Sequence, residues 1–331
     1  MKALIVGLGS IGRRHLANLR LIEPKTQIII WRQHSAPQQS DDICGKANEI
    51  VYDLKAALET KPDVAFITNP ASFHVETALS LAKQNIHLFI EKPLSNTLDK
   101  VDELLDLCSE YSLVVMVGYN FRFNKSLHVM RQTLLEGRIG RPLSIRAEVG
   151  QYLPEWRPNI DYRKSVSARR DLGGGVVLEL SHELDYVRWL MGEVKSIRGY
   201  VGRLSDFEID VEDTAEILLH FQSGVIGNIH MNMCQRNAMR NCRIIGTLGT
   251  LMWDGLSNRV QIYLPEVGKW ADIYASEAVD QNEMYVSEIR HFLECVKTNS
   301  TPMVSGLEGR RVLEMALAVK ESSSQQELVE L

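Results

Sequence analysis

Six residues near the amino terminus, Gly7-Leu8-Gly9-Ser10-Ile11-Gly12, have the types and spacing of a phosphate-binding turn. They fit G-x-G-x-x-G and lie between a predicted strand at 3–6 and a predicted helix at 12–21. In that setting the first glycine permits a tight turn, the second lets a pyrophosphate approach the backbone, and the third lets the helix pack on the strand. The helix amino terminus adds free N–H groups and a partial positive charge. We therefore predict a dinucleotide-binding site here.

The residues after the second predicted strand, at 27–31, bear on which dinucleotide is bound. An NAD site usually has an Asp or Glu about 20 residues after the glycines, where it holds the ribose hydroxyls. Residues 30–35 contain no acid. Arg32 can pair with a 2′-phosphate instead, and Ser35 can add a hydrogen bond. The predicted cofactor is thus NAD(P), with a preference for NADP; the alternative is that Arg32 is a solvated residue stacked near the adenine.

Lys92 and Pro93 follow a predicted strand at 87–90. Open parallel sheets bind ligands at the carboxyl ends of their strands. An amine at that position can take the proton of a secondary alcohol while hydride leaves the same carbon. Pro93 fixes the chain direction, and a cis bond before it would aim Lys92 at the ligand. From the residues alone, a strand-end Lys-Pro is more often a surface turn.

A second polar group follows the run Gly173-Gly174-Gly175. Leu178, Leu184, Val187 and Leu190 have helical spacing, which puts Glu179, His182 and Asp185 roughly on one helix face. His182 can donate to or accept from a substrate hydroxyl, and Asp185 can bind a sugar hydroxyl or orient the imidazole. The alternative is a partly buried structural histidine.

Residues 157–170 are rich in basic side chains, namely Arg157, Arg163, Lys164, Arg169 and Arg170. Guanidinium groups suit the capture of carboxylate or phosphate. The segment therefore suggests an acidic or nucleotide-linked sugar, with a solvated basic loop as the alternative. Trp156 and Tyr162 suit stacking on a sugar or base, or packing beneath the loop.

Two kinds of secondary structure position these residues. Up to about residue 120, short β-branched runs alternate with helical stretches, as in a parallel sheet covered on both faces. Strands are predicted at 3–6, 27–31, 64–68, 87–90 and 113–117, and helices at 12–21, 73–84 and 97–110. Later strands, at 143–150, 214–221, 225–233, 241–246 and 250–253, have a more antiparallel pattern, and two helices follow at 284–298 and 307–322. We thus predict an α/β chain with a Rossmann domain at 1–120 and a second α/β domain at 121–331.

Composition excludes several classes of protein. The 331 residues carry a formal net charge of −5, which argues against general binding to nucleic acid or an anionic membrane. No stretch approaches the roughly 20 apolar residues that span a bilayer. The five cysteines are scattered without metal-ligand spacing, so we predict no metal site and expect reduced thiols in the cytoplasm.

Several further motifs, in this order along the chain, extend the pattern. They are Thr68-Asn69-Pro70-Ala71-Ser72-Phe73-His74, Ile90-Glu91-Lys92-Pro93-Leu94, Gly118-Tyr119-Asn120-Phe121-Arg122-Phe123, Gly173-Gly174-Gly175 with His182 and Asp185, and Gly246-Thr247-Leu248-Gly249-Thr250-Leu251. With the two closing helices, they make essentially the whole chain resemble the glucose–fructose oxidoreductase/inositol dehydrogenase (Gfo/Idh/MocA) family.

The resemblance implies a Rossmann domain followed by an α/β domain with a large, open, mostly antiparallel sheet, through which dimers or tetramers associate. It implies catalytic roles for Lys92 and His182. We expect cofactor contacts from Gly7, Gly9, Ser10, Ile11, Gly12, Arg32, Ser35, Thr68, Asn69, Pro70, His74, Glu91 and Lys92. We expect substrate contacts from Tyr119, Arg122, Trp156, Arg157, Arg163, Arg169, Glu179 and Asp185.

The chain departs from the family at one site position. Many members have an Asp four residues before the histidine, whereas this chain has Leu178 there and Glu179 one residue later. Either a one-residue deletion in the turn lets Glu179 take the role of the family's Asp, or the site has no acid in this role.

The predicted activity is therefore reversible NAD(P)-dependent oxidation of a hydroxyl carbon of a sugar, cyclitol, or acidic or nucleotide-linked sugar. Two alternatives belong to other classes: a non-catalytic regulator that senses the cofactor, and a reductase of imine or pyrrole-type substrates. Lys92 together with His182 favours the dehydrogenase.

Overall fold

The computed structural model of the chain describes residues 1–32, 46–157, 160–276, 280 and 282–331. Its strands are β1 (Lys2–Val6), β2 (Gln27–Trp31), β3 (Glu49–Val51), β4 (Val64–Ile67), β5 (His87–Ile90), β6 (Val115–Val117), β7 (Pro142–Gly150), β8 (Val194–Gly202), β9 (Thr214–Phe221), β10 (Ile226–Asn232), β11 (Met239–Gly246), β12 (Thr250–Asp254), β13 (Arg259–Tyr263), β14 (Trp270–Ala275) and β15 (Val329–Glu330). Its helices are α1 (Ser10–Ile22), α2 (Leu54–Glu59), α3 (His74–Ala82), α4 (Val101–Glu110), α5 (Lys125–Leu135), α6 (Val176–Glu179), α7 (His182–Met191), α8 (Asn282–Thr298) and α9 (Gly306–Gln325).

These elements divide into two compact units. The first comprises Met1–Asn120 and Gln281–Arg311, and the second comprises Phe121–Asp280 and Val312–Leu331. The predicted second domain at 121–331 includes 281–311, which the structure assigns to the first unit. The reason is that α8 packs against α1, where the side chains of Asn18 and Asn282 exchange two hydrogen bonds.

The first unit contains a six-stranded sheet in the order β3-β2-β1-β4-β5-β6. Every neighbouring pair is parallel. Runs such as Ile28-Ile29-Ile30 are fully buried, as expected for strands that are covered on both faces. The strand order reverses between β1 and β4, and Rossmann folds bind dinucleotides beyond the carboxyl ends of the strands at that point. The predicted Rossmann-type sheet is confirmed.

The second unit contains a nine-stranded sheet in the order β14-β13-β12-β11-β7-β10-β9-β8-β15. All neighbours are antiparallel except β7 and β10. Helices α5, α6 and α7 pack against this sheet. Alternate strand residues stay exposed, among them Leu218, Ile226 and Ile245. The expected large, mostly antiparallel sheet is confirmed.

The described part of the chain contains no helix that is long and apolar enough to cross a membrane.

Candidate active site

The glycine turn between β1 and α1 has the geometry that its sequence predicts. Gly7 has a φ of +89°, in the left-handed region that favours glycine. A Cβ atom on Gly12 would lie 2.4 Å from the Gly7 oxygen and 2.6 Å from Thr68 Oγ1. Only glycine therefore lets α1 pass this close to the ends of β1 and β4.

The start of α1 leaves room for a ligand. A Cβ atom on Gly9 would meet no described atom within 4 Å. Gly9 is the residue before the helix, and no described side chain caps the first turn. Ser10 is exposed and Ile11 is half-buried. The first N–H groups of α1 therefore remain available to an anion such as a pyrophosphate.

The loop after β4 carries Thr68, Asn69 and Pro70. Thr68 is buried, and its hydroxyl donates to the Val6 oxygen at 2.9 Å. Asn69 is half-buried and donates from Nδ2 to Thr77 Oγ1 at 3.1 Å, and Pro70 is also half-buried. This loop is thus tied to both β1 and α3.

His74 connects the ends of two parallel strands. Its Nε2 lies 2.7 Å from the Asn69 oxygen after β4, and its Nδ1 lies 2.9 Å from the Pro93 oxygen after β5. The side chain is buried, and burial lowers the pKa of His74 although both carbonyl contacts oppose this. A neutral imidazole has one N–H and donates to one of these carbonyls at a time. The histidine that we expected at the cofactor thus joins the two loops that flank the predicted site.

Glu91 and Lys92 follow β5. The Lys92–Pro93 peptide bond is cis, as the sequence analysis anticipated, and Lys92 is half-buried. The Glu91 carboxylate points into the protein: its Oε1 lies 2.5 Å from His15 Nε2, and its Oε2 accepts the backbone N–H of Lys92 at 3.2 Å. A Cβ atom on Gly118 would lie 3.3 Å from this carboxylate. Glu91 therefore contacts the backbone that carries Lys92.

Arg32 directly follows β2, where its backbone N–H donates to the Val51 oxygen at 3.0 Å. Its side chain is half-buried. Ser35, which we also expected near the cofactor, lies outside the described residues.

In the second unit, His182 is the first residue of α7 and is half-buried. Its ring packs on Phe121, with the ring centroids 4.8 Å apart. The sequence analysis placed Glu179, His182 and Asp185 on one helix face, but the structure interrupts the helix between α6 and α7. Glu179 is the last residue of α6 and is also half-buried.

Asp185 faces the interior. Both of its oxygens accept hydrogen bonds from the Arg122 guanidinium at 2.8–3.0 Å, and both side chains are almost fully buried. Tyr119 is also fully buried. We expected all three residues to contact substrate; in the structure the two charged groups bind each other, because an unpaired charge in the interior is costly.

The basic side chains within 157–170 are exposed, and two of the arginines pair with acids. Arg163 lies 2.9 Å from Asp161 and 2.7 Å from Glu208. Arg169 binds Asp171, and this ion pair holds the pKa of Asp171 below its usual range.

A small recess with a cavity volume of about 10 Å³, room for about one water molecule, lies beside this segment. Trp156, Arg157 and Tyr162 line it together with Leu153, Ile160 and Ser167. The structure thus brings together three residues that we expected near a substrate. The Trp156 indole donates from Nε1 to the Gln151 oxygen at 3.0 Å, which fixes the ring.

Two residues next to Glu91 are not among the site residues predicted from the sequence. His15 on α1 and Glu288 on α8 are fully buried, and one nitrogen or oxygen of each lies within 4.8 Å of a Glu91 oxygen. A sequence signal does exist for Glu288: it shares the apolar spacing of Tyr285 and Phe292, where a carboxylate is unusual.

Comparisons with known proteins agree with these features. Residues 1–119 match the family model described as an oxidoreductase family with an NAD-binding Rossmann fold, and residues 127–252 match the GFO/IDH/MocA C-terminal domain. The chain is 27% identical to myo-inositol 2-dehydrogenase of Thermotoga maritima, covering 100% of this chain and 98% of that protein. It is 24% identical to scyllo-inositol 2-dehydrogenase (NAD(+)) of Bacillus subtilis, covering 97% and 94%. A solved levoglucosan dehydrogenase, in complex with NADH and levoglucosan, has the same fold, with a TM-score of 0.88, 19% identity, and coverage of 100% and 99%.

Proposed function

The chain belongs to the GFO/IDH/MocA family of oxidoreductases, and we propose that it reversibly oxidises a hydroxyl carbon of a sugar or cyclitol. Relatives that match nearly its whole length are named as inositol dehydrogenases. The observation that carries the proposal is the position of Lys92, just beyond the carboxyl end of the parallel strand β5.

The glycine turn fits a nicotinamide dinucleotide. The open space at Gly9 and the uncapped start of α1 suit a pyrophosphate, and Thr68, Asn69 and Pro70 line the neighbouring strand end. When bound, the dinucleotide supplies the hydride acceptor or donor. The chain itself binds and orients the reactants and moves the proton.

Lys92 is the proposed general base. In the oxidative direction its amine takes the proton from the substrate hydroxyl, and in the reductive direction it returns that proton. His182 is the second proposed catalytic group, since an imidazole can donate a hydrogen bond to a substrate hydroxyl or accept one from it. Glu179 is half-buried like His182, and it is the acid that we propose for a further substrate hydroxyl.

A neutral polyol is the simplest substrate for these groups. The extension to acidic or nucleotide-linked sugars depends on Arg157, Arg163 and Arg169, with Trp156 as a stacking surface. Arg163 and Arg169 already pair with acids, but exposed ion pairs are weak in water, so that a substrate anion can replace those acids at small cost.

NADP is the proposed preferred cofactor, and this preference is based on Arg32 and on Ser35, of which only Arg32 is among the described residues. The guanidinium follows β2, where Rossmann proteins recognise the 2′ position of the ribose.

We also propose a cytoplasmic homodimer or homotetramer that associates through the nine-stranded sheet. Leu218 and Ile226 are 53% and 59% exposed on it, and a sheet surface with such side chains suits burial against a second copy. Ile226→Glu should shift the mass measured by light scattering towards the monomer.

The deciding experiment measures turnover of sugars, inositols, sugar acids and nucleotide sugars with NAD and with NADP. The wild type should act on one of these groups, and Lys92→Ala should lower kcat by about 10²–10⁴-fold without loss of cofactor binding. Tight cofactor binding without turnover on any of these substrates would favour the cofactor-sensing alternative. Unchanged kcat in Lys92→Ala would refute the role of Lys92.

A further inference from the structure

Three ionisable side chains meet in the interior of the first unit. His15 comes from α1, Glu91 follows β5, and Glu288 lies on α8. All three are buried, and one nitrogen or oxygen of each lies within 4.8 Å of the others. Aromatic rings surround them, with the rings of Phe66 and Phe89 5.7 and 5.0 Å from the His15 ring. A group of this polarity is unusual in an apolar core and requires a physical explanation.

The contacts within the cluster lead from His15 through Glu91 to the backbone of Lys92. Both oxygens of the Glu91 carboxylate have a partner: Oε1 lies 2.5 Å from His15 Nε2, and Oε2 accepts the N–H of Lys92. Among the described residues, His15 Nδ1 and both Glu288 oxygens have no hydrogen-bond partner, although they are buried. A histidine that donates from Nε2 to Glu91 has an acceptor at Nδ1, and a protonated Glu288 is a donor. The two groups without a partner are therefore chemically complementary.

Burial, together with the Glu91 charge, favours the protonated form of Glu288. Burial raises the pKa of Glu288 well above its usual range, and the Glu91 carboxylate adds to this effect. Arg14 opposes it, but its guanidinium lies over the Tyr285 ring, 4.4 Å from the centroid. The ionisable groups near Glu288 are thus Glu91 and His15 in the cluster, with Arg14 and Tyr285 beside it.

A proton fits the geometry between His15 and Glu91 better than a metal ion does. Two atoms that ligate one divalent ion at about 2.1 Å lie roughly 3 Å or more apart. The separation of 2.5 Å between His15 Nε2 and Glu91 Oε1 is that of a hydrogen bond.

We propose that Glu288 is a positioning residue that acts on Lys92 through His15 and Glu91. Glu288 holds a proton within 4.8 Å of a ring nitrogen of His15, and this proton favours the His15 tautomer that directs Nε2–H at Glu91. Glu91 in turn holds the backbone N–H of Lys92, next to the cis bond. The inference rests on the proposed function, because it takes Lys92 as the catalytic base.

The test compares Glu288→Gln with Glu288→Leu. Gln is neutral and can still donate a hydrogen bond, whereas Leu has similar volume and no polar atom. We expect Glu288→Leu to lower kcat about 10- to 100-fold with the cofactor KM nearly unchanged, and Glu288→Gln to restore most of the activity. Glu294 is exposed on the same helix, so Glu294→Gln and Glu294→Leu are matched controls and should leave kcat unchanged.

A second readout is independent of catalysis. As the pH rises above about 4.5, the unfolded wild type releases the Glu288 proton that the folded protein keeps. The free energy of unfolding of the wild type should therefore fall relative to that of Glu288→Gln between about pH 5 and pH 8 in urea titrations. A constant difference across this range would show that Glu288 is ionised in the folded protein and would overturn the proposal.

Other outcomes separate the possible failures. If Lys92→Ala is inactive while Glu288→Leu keeps wild-type kcat, positioning by Glu288 fails and the proposed function stands. If Lys92→Ala keeps its turnover, the role of Lys92 fails first. One equivalent of a divalent metal in the purified wild type, lost in Glu288→Gln, would overturn the proton-holding arrangement.

Discussion

Arg122 and Asp185 form a bidentate ion pair in the interior of the second unit. The guanidinium Nε lies 2.9 Å from one carboxylate oxygen, and Nη2 lies 2.8 Å from the other. The pair fixes α7, whose first residue is His182, to the chain segment before α5. Two residues that we expected to contact substrate thus hold the helix that carries a proposed catalytic group.

Removal of one partner should be strongly destabilising. Asp185→Asn leaves the Arg122 charge in the interior, and we expect a loss of about 3–5 kcal/mol in the free energy of unfolding, measured in urea. The double variant Arg122→Met/Asp185→Leu removes both charges and should recover much of that loss. A loss below about 1 kcal/mol in Asp185→Asn would contradict the pairing.

Alanine substitutions at two glycines of the turn, Gly9 and Gly12, should have different effects, although each adds a single methyl group. Gly12→Ala should destabilise the protein by about 1–3 kcal/mol, because its Cβ atom collides with the Gly7 backbone. Gly9→Ala meets no described atom and should leave the stability nearly unchanged, while it raises the cofactor KM at least about tenfold by obstructing the pyrophosphate. Thermal unfolding and steady-state kinetics of the two variants measure both effects. Equal cofactor KM values for Gly9→Ala and wild type would place the pyrophosphate elsewhere.

His74 should make the protein less stable in acid. Burial lowers the pKa of folded His74, so that below about pH 6.5 the unfolded chain takes up a proton that the folded protein does not. This lowers the free energy of unfolding by at most about 1.4 kcal/mol per pH unit. His74→Gln has no histidine to take up this proton. The difference between the free energies of unfolding of wild type and His74→Gln should therefore shrink from pH 8 to pH 5. A difference that stays constant between pH 8 and pH 5 would contradict this effect of burial on His74.

Arg32 should set the cofactor preference. Arg32→Ala removes the proposed partner of the 2′-phosphate and should raise the KM for NADP about tenfold. The KM for NAD serves as the internal control and should change less than about threefold. A lower KM for NAD than for NADP in the wild type would refute the preference itself.

Buried strands were the most predictable part of the fold. The predicted bounds at 27–31, 87–90 and 214–221 coincide with β2, β5 and β9, because continuous or alternating apolar runs are typical of strands. Two elements without a predicted counterpart, β3 (Glu49–Val51) and α2 (Leu54–Glu59), are too short to show a period. Longer elements also have no predicted counterpart, namely α5 (Lys125–Leu135), β8 (Val194–Gly202), β13 (Arg259–Tyr263) and β14 (Trp270–Ala275).

The candidate site was predictable where one short segment forms it. The glycine turn and the cis Lys92–Pro93 bond are local, and the structure has both. Partners that are distant along the chain gave no such signal. Arg122 and Asp185 are 63 residues apart, and Glu288 follows Glu91 by almost 200 residues, so that only the fold reveals either contact.

The first unit is built from two segments that are far apart in the sequence, and this has a consequence for folding during synthesis. Its core is incomplete without α8, since the Phe292 ring on that helix packs against Phe66 and Phe89 with centroids 5.6 Å apart. Domains generally fold during synthesis as their residues leave the ribosome, amino-terminal ones first. Here the core of the first unit cannot be completed until Gln281–Arg311 has been synthesised, and the ribosome adds this segment only after Phe121–Asp280. The synthesis of the cofactor-binding unit therefore begins first, but its folding is completed late.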